Sequence, residues 1–103
     1  MELMTKALEK RFENFPLGSQ DGMSREAEVV VKYYNPCGKS TWLITEGEKQ
    51  KNGDWLLFGY CYIYGWEWGD VLLSQLQSIK LPFGFSIERD LHCEGMKVKE
   101  LVY

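Results

Sequence analysis

Met4, Leu8 and Phe12 recur every fourth residue with Ala7 beside them, while Lys6, Glu9, Lys10 and Glu13 fill the opposite side. That spacing gathers the apolar groups on one stripe of a helix and predicts a short amphipathic segment. Thr5 is placed to cap its start, and Asn14 with Pro16 stops it. Residues 17–25 (LGSQDGMSR) then read as a loop. Beyond them the period changes to two. Ala27, Val29, Val31 and Tyr33 alternate with Glu26, Glu28, Val30 and Lys32, the pattern of a half-buried strand. Asn35-Pro36-Cys37-Gly38 has Pro second and Gly fourth, as a type I turn prefers. So short a turn makes the next strand, Thr41 to Glu46, antiparallel to the first. Gly47 to Asp54 is polar and holds Asn52-Gly53, a strong hairpin signal. Trp55 to Tyr64 is apolar on both faces, which predicts the central strand.

Gly65 to Asp70 is expected to turn the chain. Val71, Leu72, Leu76 and Ile79 then share the face of a second short helix, running from about Leu73 to Ile79. Pro82 and Gly84 predict a turn, Ser86 to His92 a fourth strand, and Met96 to Tyr103 fits either strand or helix. The order predicts an α+β fold: a mostly antiparallel sheet of four to five strands, an N-terminal helix and a second short helix. At 103 residues the chain, 1–103, is expected to be a single domain.

The order of the NPCG turn, the Trp42-Leu43-Ile44-Thr45-Glu46 strand, Phe58-Gly59, Leu81-Pro82-Phe83-Gly84 and Ile87-Glu88-Arg89-Asp90-Leu91 resembles the domain-of-unknown-function family 2958. The similarity runs from the Lys6–Phe12 helix to Leu91, with departures in the aromatic run Tyr60–Asp70 and at Leu72, where a helix-capping Ser is more usual. The resemblance implies a small protein of plasmids, phages and conjugative elements, often encoded beside antirestriction and mobilisation genes. It implies no catalytic residue.

Composition narrows the partners. The net charge of −3, from 15 acidic and 12 basic residues, argues against a duplex nucleic acid as partner, since such binding depends on neutralising phosphates. Cys37, Cys61 and Cys93 are an odd, widely spaced set, so reduced thiols and a cytoplasmic location are expected. The first residues show no signal-peptide pattern, and no stretch approaches the roughly 20 apolar residues of a membrane span.

Three constellations could carry function. A strand over Ser86–His92 puts Glu88, Asp90 and His92 on one face, and Glu46 could add a further oxygen. Carboxylates and an imidazole projecting together can hold a divalent ion or do acid–base work, although a solvated polar face has the same composition. Arg89 falls on the other face between Ile87 and Leu91, which predicts a buried ion pair with Glu46 or Glu67. Phe58, Tyr60, Tyr62, Tyr64, Trp66 and Trp68 occupy every second position of one stretch. Such a row can pack as core, form an interface or stack unpaired bases. It lacks interleaved Lys and Arg, and Glu67 sits inside it, which favours protein over nucleic acid. Tyr62, Tyr64, Trp66 and Trp68, nearest Gly65, are the expected contact surface.

Cys37, Cys61, His92 and Cys93 lack the close pairing of structural zinc sites, so neither metal nor cofactor is expected. The leading expectation is a non-enzymatic accessory module of a phage or plasmid. It would bind an unknown protein of the host or the mobile genetic element, or a second copy of itself as a homo-oligomer. A small metal-assisted hydrolase using Glu88, Asp90, His92 and Glu46, and a single-strand nucleic-acid binder using the aromatic row, are the alternatives.

Overall fold

The structure, a computed structural model, describes residues 1–103. Helix α1 (Lys6–Phe12) starts where expected, because the Thr5 hydroxyl accepts from the Leu8 amide at 3.2 Å. It buries Leu8 and Phe12. Strand β1 (Val31–Tyr34) turns at Asn35, whose side chain accepts from the Cys37 amide at 2.7 Å. The chain returns antiparallel as β2 (Thr41–Lys49). Gly53, at φ +90°, makes the next turn into β3 (Trp55–Tyr62). Strand β4 (Trp66–Leu72), helix α2 (Leu73–Ser78), strand β5 (Glu88–Asp90) and a last helical turn α3 (Val98–Leu101) complete the chain. The five strands form one antiparallel sheet in the order β4-β3-β2-β1-β5, an α+β architecture.

Four expectations need correction. The central strand is β2, not Trp55–Tyr64, and its first seven residues are all buried. Gly65–Asp70 is not a turn: the chain reverses at residues 63–65, and Trp66 begins β4, because pairing Trp66 with Tyr62 and Trp68 with Tyr60 lets the rings stack across strands. The alternating segment from Ala27 is strand only from Val31. Its earlier part bonds to the C-terminal tail, with Val29 N–H on the Met96 carbonyl and Val98 N–H on the Ala27 carbonyl, which leaves Val29 fully buried, while Val30 donates to the Ile44 carbonyl and packs into the helix-covered core. Finally, β5 spans three residues, and the tail resolves as helix.

The two faces of the sheet carry separate cores. On one, Leu8 and Phe12 of α1 and Leu73 and Leu76 of α2 pack on Tyr33, Trp42, Ile44, Trp55 and Leu57. On the other, Ala27, Val29 and Val98 cover Leu43 and Tyr60. Helix α2 has no capping side chain of its own at Leu72. Asp54, from the β2–β3 turn, accepts from the Ser74 amide and hydroxyl instead, which holds the Asp54 carboxyl below its usual range.

Strand β2 carries one residue too many. Pairing with β3 shifts between Ile44 and Glu46, leaving Thr45 as a bulge. The extra residue swaps the parity of β2, so Ile44 faces the helices while Glu46, paired with Phe58, faces the opposite side. Glu46 is thereby placed in the middle of a sheet face, beside the aromatic hairpin.

Candidate interaction surface

The aromatic row folds into a hairpin of two ranks. Tyr60 sits between Trp66, stacked at 5.2 Å, and Trp68, tilted at 4.8 Å; Trp68 also stacks on Phe58 at 5.8 Å. Tyr62 meets Trp66 edge-on, and Tyr103 closes against both. The Trp66 indole N–H donates to the Tyr103 carbonyl at 3.2 Å, which ties the tail to the hairpin. Arg25 lies 5.4 Å from the centre of the Tyr60 ring, and its guanidinium donates to the Tyr60 hydroxyl at 3.0 Å. Exposure grades along the hairpin. Tyr60 is buried, Tyr62 and Trp66 are half-buried, Trp68 is 38% exposed and Tyr64 at the tip is 100% exposed. Of the expected contact residues, Tyr62, Trp66 and Trp68 therefore belong to one packed face, and Tyr64 stands apart from it.

A cleft of about 250 Å³ opens beside this face, between Phe58, Trp68, Thr45, Glu46, Asp21 and Ser24. Its floor is built by the bulge. The Glu46 carboxylate, 4% exposed, accepts from the Gly18 amide at 2.6 Å and the Gln20 amide at 3.0 Å. The Gln20 side chain bridges the same loop to the Thr45 and Glu28 carbonyls. Ser24 at the rim has φ +53°, a conformation a non-glycine residue holds only when its surroundings fix it. On the opposite face a second cleft, of about 370 Å³, is lined by Trp42, Cys61, Ile63, Glu67, Gly69 and Val71. Gly69 helps keep it open, because it lines the cleft and has no side chain to fill the space.

Glu88, Asp90, His92 and Glu46 do not converge. Glu88 accepts from the Tyr34 hydroxyl at 2.9 Å, and Asp90 faces Lys32 at 3.8 Å. Asp90 also accepts from the His92 amide at 2.7 Å, a local turn that ends β5 before His92 can share its face. The His92 amide and Cys93 hold the Asp90 carboxyl below its ordinary range against the opposing effect of burial. Glu46 is held in β2, two strands away, by the loop amides. No three His, Cys, Asp or Glu side chains are grouped to hold a metal ion, so the hydrolase arrangement lacks its site.

The expected Arg89–Glu46 ion pair is likewise corrected. Arg89 pairs across from Tyr33 on the helix-covered face, whereas the bulge sends Glu46 to the other, and Glu67 lies at the far edge. The Arg89 Nε is buried without a hydrogen-bond partner. Arg89→Met keeps the aliphatic stem and removes an unmatched polar atom. Its unfolding free energy in urea should stay within about 1 kcal/mol of the parent or rise, whereas a loss of about 3–5 kcal/mol is the mark of a broken buried pair.

The three thiols are dispersed and free. Burial pushes Cys61 up to about 12, and burial with the Asp90 contact pushes Cys93 up to about 11, while Cys37 is exposed in its turn. Titration with a disulfide reagent at pH 8 should therefore give one fast equivalent, lost in Cys37→Ser, with Cys61 and Cys93 reacting only on unfolding. Three fast thiols would contradict this placement.

One surface feature went unread. Phe83, within the LPFG segment assigned only as a turn, is 96% exposed at φ +60°. The Pro-then-Gly spacing predicts the tight loop, but nothing in it marks the intervening ring as projecting into solvent.

The family model described as "Protein of unknown function (DUF2958)" matches residues 3–99 of the chain. No curated protein and no solved structure matches it.

Proposed function

The chain belongs to the DUF2958 family, and from that premise we propose that it is a non-enzymatic protein-binding module, an accessory protein of a mobile genetic element such as a phage or plasmid. The observation that carries the binding reading is the β3–β4 hairpin, where Trp68 remains accessible among stacked rings and Tyr64 is exposed at the tip. An accessible aromatic face next to buried core is the anatomy of a contact surface. The charged groups beside it, Asp21, Glu46 and Asp70, are acidic, which suits a protein better than a phosphate backbone. Arg25 is the one cation on the rings, and it is engaged with the Tyr60 hydroxyl. The mobile-element setting rests on the family resemblance alone.

Tagged protein incubated with nuclease-treated lysate of a host of the element should retain a discrete protein. Trp68→Ala, whose ring is partly exposed, should lose that capture by about tenfold while staying folded. A ligand destroyed by nuclease would favour the base-stacking alternative, and capture unaffected by Trp68→Ala would remove the hairpin from the contact.

A further inference from the structure

Strand β4 is the free edge of the sheet. Apart from its pairing with β3, no backbone group from Trp66 to Val71 bonds to another strand or loop, the Leu72 amide is taken by the Gln75 side chain, and the sheet order leaves the outer side without a neighbour. In an antiparallel pair, alternate residues turn their N–H and C=O groups away from the partner strand. Alternate residues of β4 up to Val71 thus present outward N–H and C=O groups without a protein partner.

The chemistry along this edge has one sign. Register puts Trp68 and Asp70 on the aromatic face, and Glu67, Gly69 and Val71 on the other. Glu67 and Asp70 are exposed and make no ion pair. Gly69 has nothing within 4 Å of where a Cβ would stand, and it opens directly onto the 370 Å³ cleft. A side chain from an added strand opposite Gly69 would enter there. Its methylenes would lie along Val71 and its end would come between the Trp42 ring and the Glu67 carboxylate, surroundings that suit a long cationic group.

We propose that β4 takes an extended, Lys- or Arg-bearing segment of a partner protein as a sixth strand, with one cationic side chain seated in the cleft beside Gly69 and Glu67. This deepens the protein-binding reading and rests on it. The same charges argue against a second copy as the occupant: pairing β4 with itself would bring two Glu67 and two Asp70 carboxylates to one seam. Backbone pairing supplies the affinity in this mode of recognition, and the cleft supplies the choice of side chain.

The test uses synthetic octapeptides in which Lys or Arg alternates with Val or Ile, titrated into the ¹⁵N-labelled full chain. Amide shifts and slowed hydrogen exchange are expected at Glu67–Val71, with weaker binding by about tenfold for Glu67→Gln and for Gly69→Val, which fills the cleft with a good strand former. The same peptides N-methylated at alternate residues keep their charge but cannot pair, and they should not bind. Equal binding of the methylated peptides would overturn strand addition and leave plain charge attraction. Preference for Glu-containing peptides, concentration-dependent dimerisation through β4, or no response at β4 to any peptide of the set would each overturn the proposal. Those results are separable from failure of the protein-binding reading. A partner captured from lysate and lost in Trp68→Ala, with β4 amides unchanged in the complex, would keep that reading and remove this one.

Discussion

Gly59→Ala should cost about 3 kcal/mol or more, enough to leave a small domain poorly folded. A Cβ on residue 59 would stand 1.9 Å from the Leu43 carbonyl oxygen and 2.8 Å from the Ile44 Cα, and both are backbone atoms of the central strand. No rotamer change relieves such a clash. Either β2 and β3 separate where Thr45 bulges, or the pairing slips. Gly69 is the control, because it lies directly opposite Gly59 and its added methyl meets nothing. Urea denaturation should show Gly69→Ala within about 0.5 kcal/mol of the parent. Equal penalties at the two positions would mean that strand propensity, not the close approach at the bulge, decides the effect.

Phe12→Ala is expected to cost about 3–5 kcal/mol, the range for removing a buried aromatic ring from a core. Phe12 is 2% exposed, sits 5.4 Å from Trp55 and lies so close to Gly47 that a methyl there would touch its ring at 3.0 Å. It fastens α1 to β2 and β3 together, and no neighbour is free to fill the space. Thermal unfolding should remain a single transition at lower temperature. A loss below about 1 kcal/mol would place the ring outside the core.

Phe12 was legible from its spacing alone, as were α1, both β-turns flanking β2 and the start of α2, because each depends on chemistry within a few residues. The misreadings have a different origin. Trp66 to Asp70 follows Gly65 and contains Gly69, a turn signal on either side of its rings, and only the stacking of those rings on β3 makes it a strand. Apolarity on both faces marked β3 as central, although β2, with two Thr and two Glu in it, is more deeply buried. The Thr45 bulge was invisible as well, since nothing local distinguishes an unpaired residue in a strand. That one residue decides which face receives Glu46, so the supposed ion pair with Arg89 failed with it, while the shared carboxylate site failed because Glu46 lies two strands from β5 and the Asp90–His92 turn ends that strand. The hairpin residues Tyr62, Trp66 and Trp68 were identified as a group, but their arrangement in two facing ranks needed the register.

The strand order also bears on how the chain assembles. β1, β2, β3 and β4 are joined in sequence by short turns, so each can find its neighbour by closing only a few residues. β5 alone must return across the whole meander, setting Glu88 beside Tyr34 with three strands and a helix in between. Loop closure grows costlier with the length of intervening chain, and the reward here is a pairing of three residues. The meander is therefore the part able to form first, with β5 and the helical tail docking onto a sheet that already exists. On that route the Val29 amide and carbonyl and the Ala27 carbonyl, whose partners Met96, Gly95 and Val98 lie in the tail, stay unpaired until the final step.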